Sequence, residues 1–154
     1  MRQTSRHQFL LAFDYGEART GVAVGQELTG TASPVTTLMT TRGRPDWKQI
    51  EVLIREWRPR LIVVGMPRRR DDSPHPLAPK ISAFCRTLER RYGIPVHTMD
   101  ESFTSLEASE RLKSLRQGGR RRRVAKTDID KAAAALLLER WMRAHAGERE
   151  STDS

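Results

Sequence analysis

Five carboxylates sit where the chain changes element. Asp14 closes the apolar run "LLAFD", Asp100 and Glu101 close "PVHTMDE", and Asp128 and Asp130 open "DIDKAAAALLLERWM". Carboxylate oxygens are hard ligands, and Mg²⁺ takes one or two of them together with substrate phosphates. Two such ions about 3.5–4 Å apart activate a water and stabilise the leaving oxygen of a phosphodiester. The chemistry open to these residues is metal-assisted hydrolysis of a phosphodiester. Each acid taken singly also has an ordinary explanation: a turn former at Asp14, a solvated strand end at Glu101, a charge favoured by the helix dipole at Asp130.

Helical spacing separates the last two aspartates. Ala133, Ala134, Leu137 and Trp141 follow Asp130 at helical intervals and place it on the packed stripe. Asp128 shares its stripe with Lys131, Ala132, Ala135 and Glu139, a more polar set, and is expected to face away from the sheet. The alanines beside Asp130 predict a helix lying close to the sheet, its carboxylate near a strand-borne one. Between Asp100 and Glu101 the choice stays open, because adjacent strand residues point to opposite faces.

The elements that would position these groups can be read along the chain. Segments 7–13 and 20–25 read as strands joined by a short turn, with Gly16 and Gly21 letting the chain turn tightly around Asp14. A third strand is expected at 35–39, after Pro34. A helix led by Pro45 carries Trp47, Ile50, Leu53, Ile54 and Trp57 on one face and stops at Arg58 and Pro59. "LIVVG" at 61–65 has the continuous apolar character of a central parallel strand covered on both faces. Leu77, Ile81, Phe84, Leu88 and Tyr92 trace a second helix, stopped by Gly93 and Pro95. "TSLE" at 104–107 has the form of a capping box opening another helix, and "RQGGRRRRVAK" at 116–126 reads as a basic loop before a last helix near Thr127. Three antiparallel strands followed by alternating strands and helices predict an α/β fold with a mixed sheet. At 154 residues the expectation is one domain over 1–146 and a polar tail over 147–154.

Lys and Arg number 28 against 19 Asp and Glu, a formal charge of +9, which favours a polyanionic partner through counterion release. Runs at Arg68, Arg69 and Arg70 and at Arg120, Arg121, Arg122 and Arg123, with Lys126, concentrate that charge, so nucleic acid leads as the partner class. The single cysteine, Cys85, excludes a disulfide framework and reads as a small core residue. The four histidines show no metal spacing, and the three tryptophans read as core. With no signal-peptide run and no membrane-length apolar stretch, a cytoplasmic location without membrane association is expected.

Four stretches together, "AFDYGEARTGVAVGQ" at 12–26, "VVGMP" at 63–67, "MDESFTSLEA" at 99–108 and "DIDKAAAALLLERWM" at 128–142, make the chain resemble the YqgF (RuvX) proteins of bacteria. These are described as Holliday-junction resolvases and as nucleases that mature the small-subunit ribosomal RNA precursor. The resemblance spans nearly the whole chain. It implies a ribonuclease H-like fold, dependence on Mg²⁺ or Mn²⁺, and an acidic triad falling on Asp14, Glu101 and Asp130. It further implies precursor 16S rRNA as substrate, with branched DNA as the alternative, and the assembling ribosomal subunit as a partner, monomer and homodimer both remaining open. Arg19 stands at the family's basic turn position, either on phosphate or as an exposed turn residue. Two departures stand out. Ser102 replaces the arginine of the family's usual Asp-Glu-Arg, removing a guanidinium suited to gripping phosphate. The loop "RRRDDSPHPL" lacks the family's glycine, and Arg68 to Arg70 are candidates for its backbone contacts.

Two other readings compete with a metal-dependent nuclease. One is a nucleic-acid-binding protein of this fold with little chemistry, which the missing arginine would suit. The other takes "DYGEARTG" as the phosphate loop of an actin-like ATPase, and 154 residues are too few for the two domains that close on a nucleotide there.

Overall fold

The computed structural model describes residues 9–67, 73, 75–101 and 126–146. Their element order is β1 (Phe9–Asp14), β2 (Arg19–Gln26), β3 (Thr31–Met39), α1 (Trp47–Trp57), β4 (Leu61–Pro67), α2 (Ala78–Tyr92), β5 (Val96–Glu101) and α3 (Lys126–Ala144). The strands form one five-stranded sheet in the order β3-β2-β1-β4-β5. The pairs β1·β2 and β2·β3 are antiparallel, and β1·β4 and β4·β5 are parallel. The carboxyl ends of β1, β4 and β5 therefore share one edge of the sheet, where β2 begins and β3 ends.

Strand alternation feeds two cores. Leu10, Ala12, Leu61 and Val63 pack against Ala133, Leu137, Leu138 and Trp141 of α3. The intervening residues Leu11, Phe13, Ile62 and Val64 pack on the other face against Ile50, Leu53, Ile81, Phe84 and Leu88 of α1 and α2. The continuous apolar character of 61–64 thus has its expected cause: every one of these side chains is buried, on alternating faces. Asp46 caps α1 by accepting the Gln49 N–H at 3.2 Å, and Gly93 ends α2 in the left-handed region at φ 65°.

Two expectations need correction. The third strand runs over Thr31–Met39 rather than 35–39, with Pro34 inside it. β3 is an edge strand, where a residue without an N–H costs no ladder bond, and the pairing slips between Val22 and Ala23 beside that proline. Asp128 does not face away from the sheet. It is buried, at 9% exposure, because Ala132, Ala133, Ala134 and Ala135 are all buried and α3 is covered around most of its circumference. An alanine stripe carries no sign of which side is wet, so the polar stripe through Lys131 and Glu139 misled.

The segments 104–107, 116–125 and 147–154, Arg68 to Arg70 and Ser102 lie outside the described residues. Among the described residues, no helix is long and apolar enough to cross a membrane.

Candidate functional site

The site is built from β2 outwards. Gly21 pairs with Asp14 across the β1·β2 ladder, so the two are direct neighbours. On the α3 side of Gly21 there is no room for a side chain: a Cβ there would lie 1.9 Å from the backbone oxygen of Asp130. The missing Cβ lets the N-terminal part of α3 rest on the strand backbone at Asp130 and Lys131. Asp130 is thereby seated beside the residue that pairs with Asp14. A second tie holds the start of α3, since the Thr37 hydroxyl of β3 donates to the Thr127 carbonyl at 2.6 Å. Gly21 was expected to ease the turn. It lies within β2 instead, and its role is this close approach. Gly16 does sit in the turn, where a Cβ would meet the Arg19 carbonyl oxygen at 2.4 Å.

Arg19, the first residue of β2, donates through Nε to Oδ2 of Asp130 at 2.6 Å. The pair spans 111 residues of sequence and is partly open to solvent, so local spacing offered no signal for it. A guanidinium has five N–H donors, and this contact uses one. The turn before it is anchored by Tyr15, whose ring lies 5.1 Å from that of Phe84, and by Glu17, which accepts from Lys80 at 3.2 Å.

On the other side of β1, the backbone of Glu101 closes β5 opposite Pro67 at the same edge of the sheet. Alternation places position 101 in the register of His97 and Met99, which lie against α3: His97 is 5.9 Å from the Trp141 ring and Met99 packs on that core. Asp100 falls in the register of Val96, which packs on the opposite core. The side chains of Glu101 and Lys126 lie outside the described residues, as do Arg120 to Arg123. Among the described residues no group of three or more His, Cys, Asp or Glu is gathered as a metal cluster. What the described part brings together is Asp14, Asp130 and Arg19.

The overall arrangement is shared with solved structures. The chain superimposes on Thermus thermophilus RuvC in complex with Holliday junction substrate at a TM-score of 0.55, with 16% identity over 92% of this chain and 97% of that one. It matches the fowlpox virus resolvase bound to Holliday junction DNA at 0.53, with 11% identity, covering 88% of this chain and 97% of that one. These likenesses establish the ribonuclease H-like fold of the resolvases. Within that class the chain belongs to the RuvX family, whose model, described as Holliday junction resolvase, matches residues 8–144. Its relatives include proteins named "Putative pre-16S rRNA nuclease" from Pseudomonas putida and Azotobacter vinelandii. The first is 44% identical over 90% of this chain and 96% of its own length, the second 45% over 88% and 93%. By family and fold the chain is a nuclease, an enzyme that hydrolyses phosphodiester bonds.

Proposed function

We propose that this protein is a divalent-metal-dependent endonuclease that processes the precursor of 16S rRNA, with Asp14, Glu101 and Asp130 as its working carboxylates. The observation that carries the reading is the seat at Gly21, which sets Asp130 beside the strand neighbour of Asp14. Nothing about core packing calls for two acids there, whereas a cation does. The residues present suit Mg²⁺ or Mn²⁺. Their donors are hard carboxylate oxygens, and the Arg19 contact shows that Asp130 accepts a positive partner. When bound, such an ion supplies Lewis-acid stabilisation of the phosphoryl oxygens and a more acidic water. The chain's own part is to hold Asp14 and Asp130 on rigid elements and to keep Asp130 oriented through Arg19. Arg19 in turn presents its remaining N–H donors to a phosphate. Arg68 to Arg70, Arg120 to Arg123 and Lys126 are assigned to the polyanion, consistent with a chain of formal charge +9.

The substrate assignment rests on the relatives' names, and the location assigned with it is the cytoplasm, on the assembling ribosomal subunit. Branched DNA is the second reading, favoured by the family description and by the junction complexes among the fold neighbours. One experiment tests both. Labelled precursor-like RNA, single-stranded RNA and a four-way DNA junction are incubated with wild type and Asp14→Asn in Mg²⁺, Mn²⁺ or EDTA. Metal-dependent cutting of the RNA, abolished in the variant, is the expected result. Preference for the junction moves the assignment to DNA, and binding without cutting in either metal refutes the nuclease reading.

A further inference from the structure

We propose that the turn between β3 and α1 is a second contact surface for single-stranded RNA, gripping the strand as it passes beyond the candidate site; this rests on the nuclease reading above. Its position follows from the backbone. Met39, the last residue of β3, pairs with Arg19, and the Thr40 N–H donates to the Ala18 carbonyl at 2.9 Å. The turn is thus fixed to the same short segment that carries Asp14 and Arg19. It lies round the sheet edge from α3, on the α1 side.

The turn itself is a small hairpin. Thr41 and Arg44 exchange both backbone hydrogen bonds, at 3.0 and 2.9 Å, leaving Arg42 and Gly43 as its two central residues. Their φ values, 52° and 75°, are both positive, the signature of a type I′ turn. Asn, Asp or Gly normally fill the first of these positions, because an ordinary side chain is strained there. An arginine at such a point is not chosen by the backbone. Its exposed charge is the remaining reason for it.

The neighbours share that character. Arg42, Arg44 and Lys48 are exposed, and among the described residues none of them is held in an ion pair or side-chain hydrogen bond. The one acid between them, Asp46, is engaged as the cap of α1. A fourth cation joins from α2, with the Arg91 guanidinium 4.5 Å above the centre of the Trp47 ring. Arg42, Arg44 and Lys48 border a shallow depression of about 600 Å³, lined also by Thr41, Pro45, Asp46 and Trp47. Three cations around a concave surface, with a fourth on the Trp47 ring beside it and the whole joined to the edge that holds the candidate site, suit a run of phosphates. Each arginine can grip one bidentately.

The test uses the full chain carrying Asp14→Asn, so that RNA is bound and not cut. Affinity for a fluorescein-labelled single-stranded RNA is measured by anisotropy across a KCl series. Adding Arg42→Ala, Arg44→Ala and Lys48→Ala together should weaken binding at least tenfold at low salt. It should also flatten the slope of log affinity against log salt by about 2, since each phosphate contact on a single strand contributes roughly 0.7. With Asp14 restored, the same three substitutions should raise KM and leave kcat near that of wild type. Arg42→Gly guards against a folding artefact, because glycine favours the positive φ: it should keep or raise the melting temperature and still weaken RNA binding. An unchanged slope and affinity in the triple variant, where its parent binds RNA, overturns this surface alone. A parent that binds no RNA overturns the RNA-processing reading and this surface together. Tighter binding of polyglutamate than of the RNA, weakened by the same substitutions, would overturn the proposal in favour of an acidic protein partner.

Discussion

Gly21 gives the site its most exacting residue-scale requirement. Gly21→Ala would force the N-terminal part of α3 off β2, because the atom in the way is backbone and has nowhere to go. Overpacking of this kind costs about 1–3 kcal/mol, and this case belongs at the upper end. Urea denaturation should show that loss, and metal-dependent cleavage should fall further than the stability change explains, since Asp130 is carried away with the helix. Gly25→Ala is the control: its Cβ meets the mobile end of Leu138 at 2.7 Å, so it should cost less and spare activity. Equal losses at the two positions would refute the seating argument. Arg19 makes a second case. Arg19→Ala should lower kcat about tenfold or more, the rate equivalent of one charge-assisted hydrogen bond, and Arg19→Lys should not restore it, because an ammonium is a point donor without the Nε geometry. Undiminished turnover in Arg19→Ala would remove the residue from the site. At this scale the places of the acids at element ends were legible, and so was the position of Asp130 early in the last helix. The Arg19 contact and the seat at Gly21 were not, since each depends on which residues from distant segments meet, nor was the placing of the basic turn beside the site, which the Thr40–Ala18 bond sets.

Elements are held at the opposite end of the sheet by a different pair. Arg60, just before β4, donates through Nε and a terminal nitrogen to both carboxylate oxygens of Glu27, just after β2, and its backbone N–H donates to Phe9 at 3.0 Å. The hydrogen bond to Glu27 raises the affinity of Arg60 for its proton, so the guanidinium stays charged across the working pH range. Glu27 is only 9% exposed, and Arg60→Ala would leave it buried without its fork. A loss of about 2–3 kcal/mol in urea denaturation is expected, with kcat unchanged at a permissive temperature because the site lies at the far edge. A loss below 0.5 kcal/mol, roughly that of an ordinary surface change, would show the pair to be decoration. On α2, burial pushes the Cys85 thiol up to about 11, with Glu89 adding to the shift. The thiolate is the reactive form, so at pH 8 a disulfide reagent should react with the native protein about a hundredfold more slowly than with the chain in guanidinium. Matching rates would place Cys85 at the surface. The elements themselves were largely legible: α1, α2 and β4 follow from apolar period and from stops at Arg58, Gly93 and Pro95. The two misreadings, Pro34 and Asp128, have a common cause. A proline is tolerated on an edge strand and an alanine face is compatible with either side, and sheet order and helix coverage are properties of the assembled fold.

Across the whole molecule, the candidate site joins the two ends of the chain. Asp14 ends the first strand of the sheet, Asp130 lies early in α3, and α3 packs across the face that β1 and β4 share. A cation held by both acids would therefore resist separation of the last helix from the first strand, and its binding energy would appear as global stability. At a free ion concentration ten times its dissociation constant that gain is about 1.4 kcal/mol. For a chain of this size it corresponds to a rise in melting temperature of roughly 3–6 °C. A formal charge of +9 makes the experiment discriminating. Such a chain repels divalent cations over most of its surface, so a stabilising effect of Mg²⁺ points to a local acidic site. Thermal melts should show the rise for wild type in Mg²⁺ relative to EDTA, with KCl used to match ionic strength and cancel screening. Asp14→Asn, which keeps the shape and removes one ligand charge, should lose most of the shift while folding normally in EDTA. A wild-type melting temperature indifferent to Mg²⁺ and Mn²⁺, or a shift of the same size in Asp14→Asn, would show that these two acids do not share a cation and would leave the close approach at Gly21 without the function assigned to it.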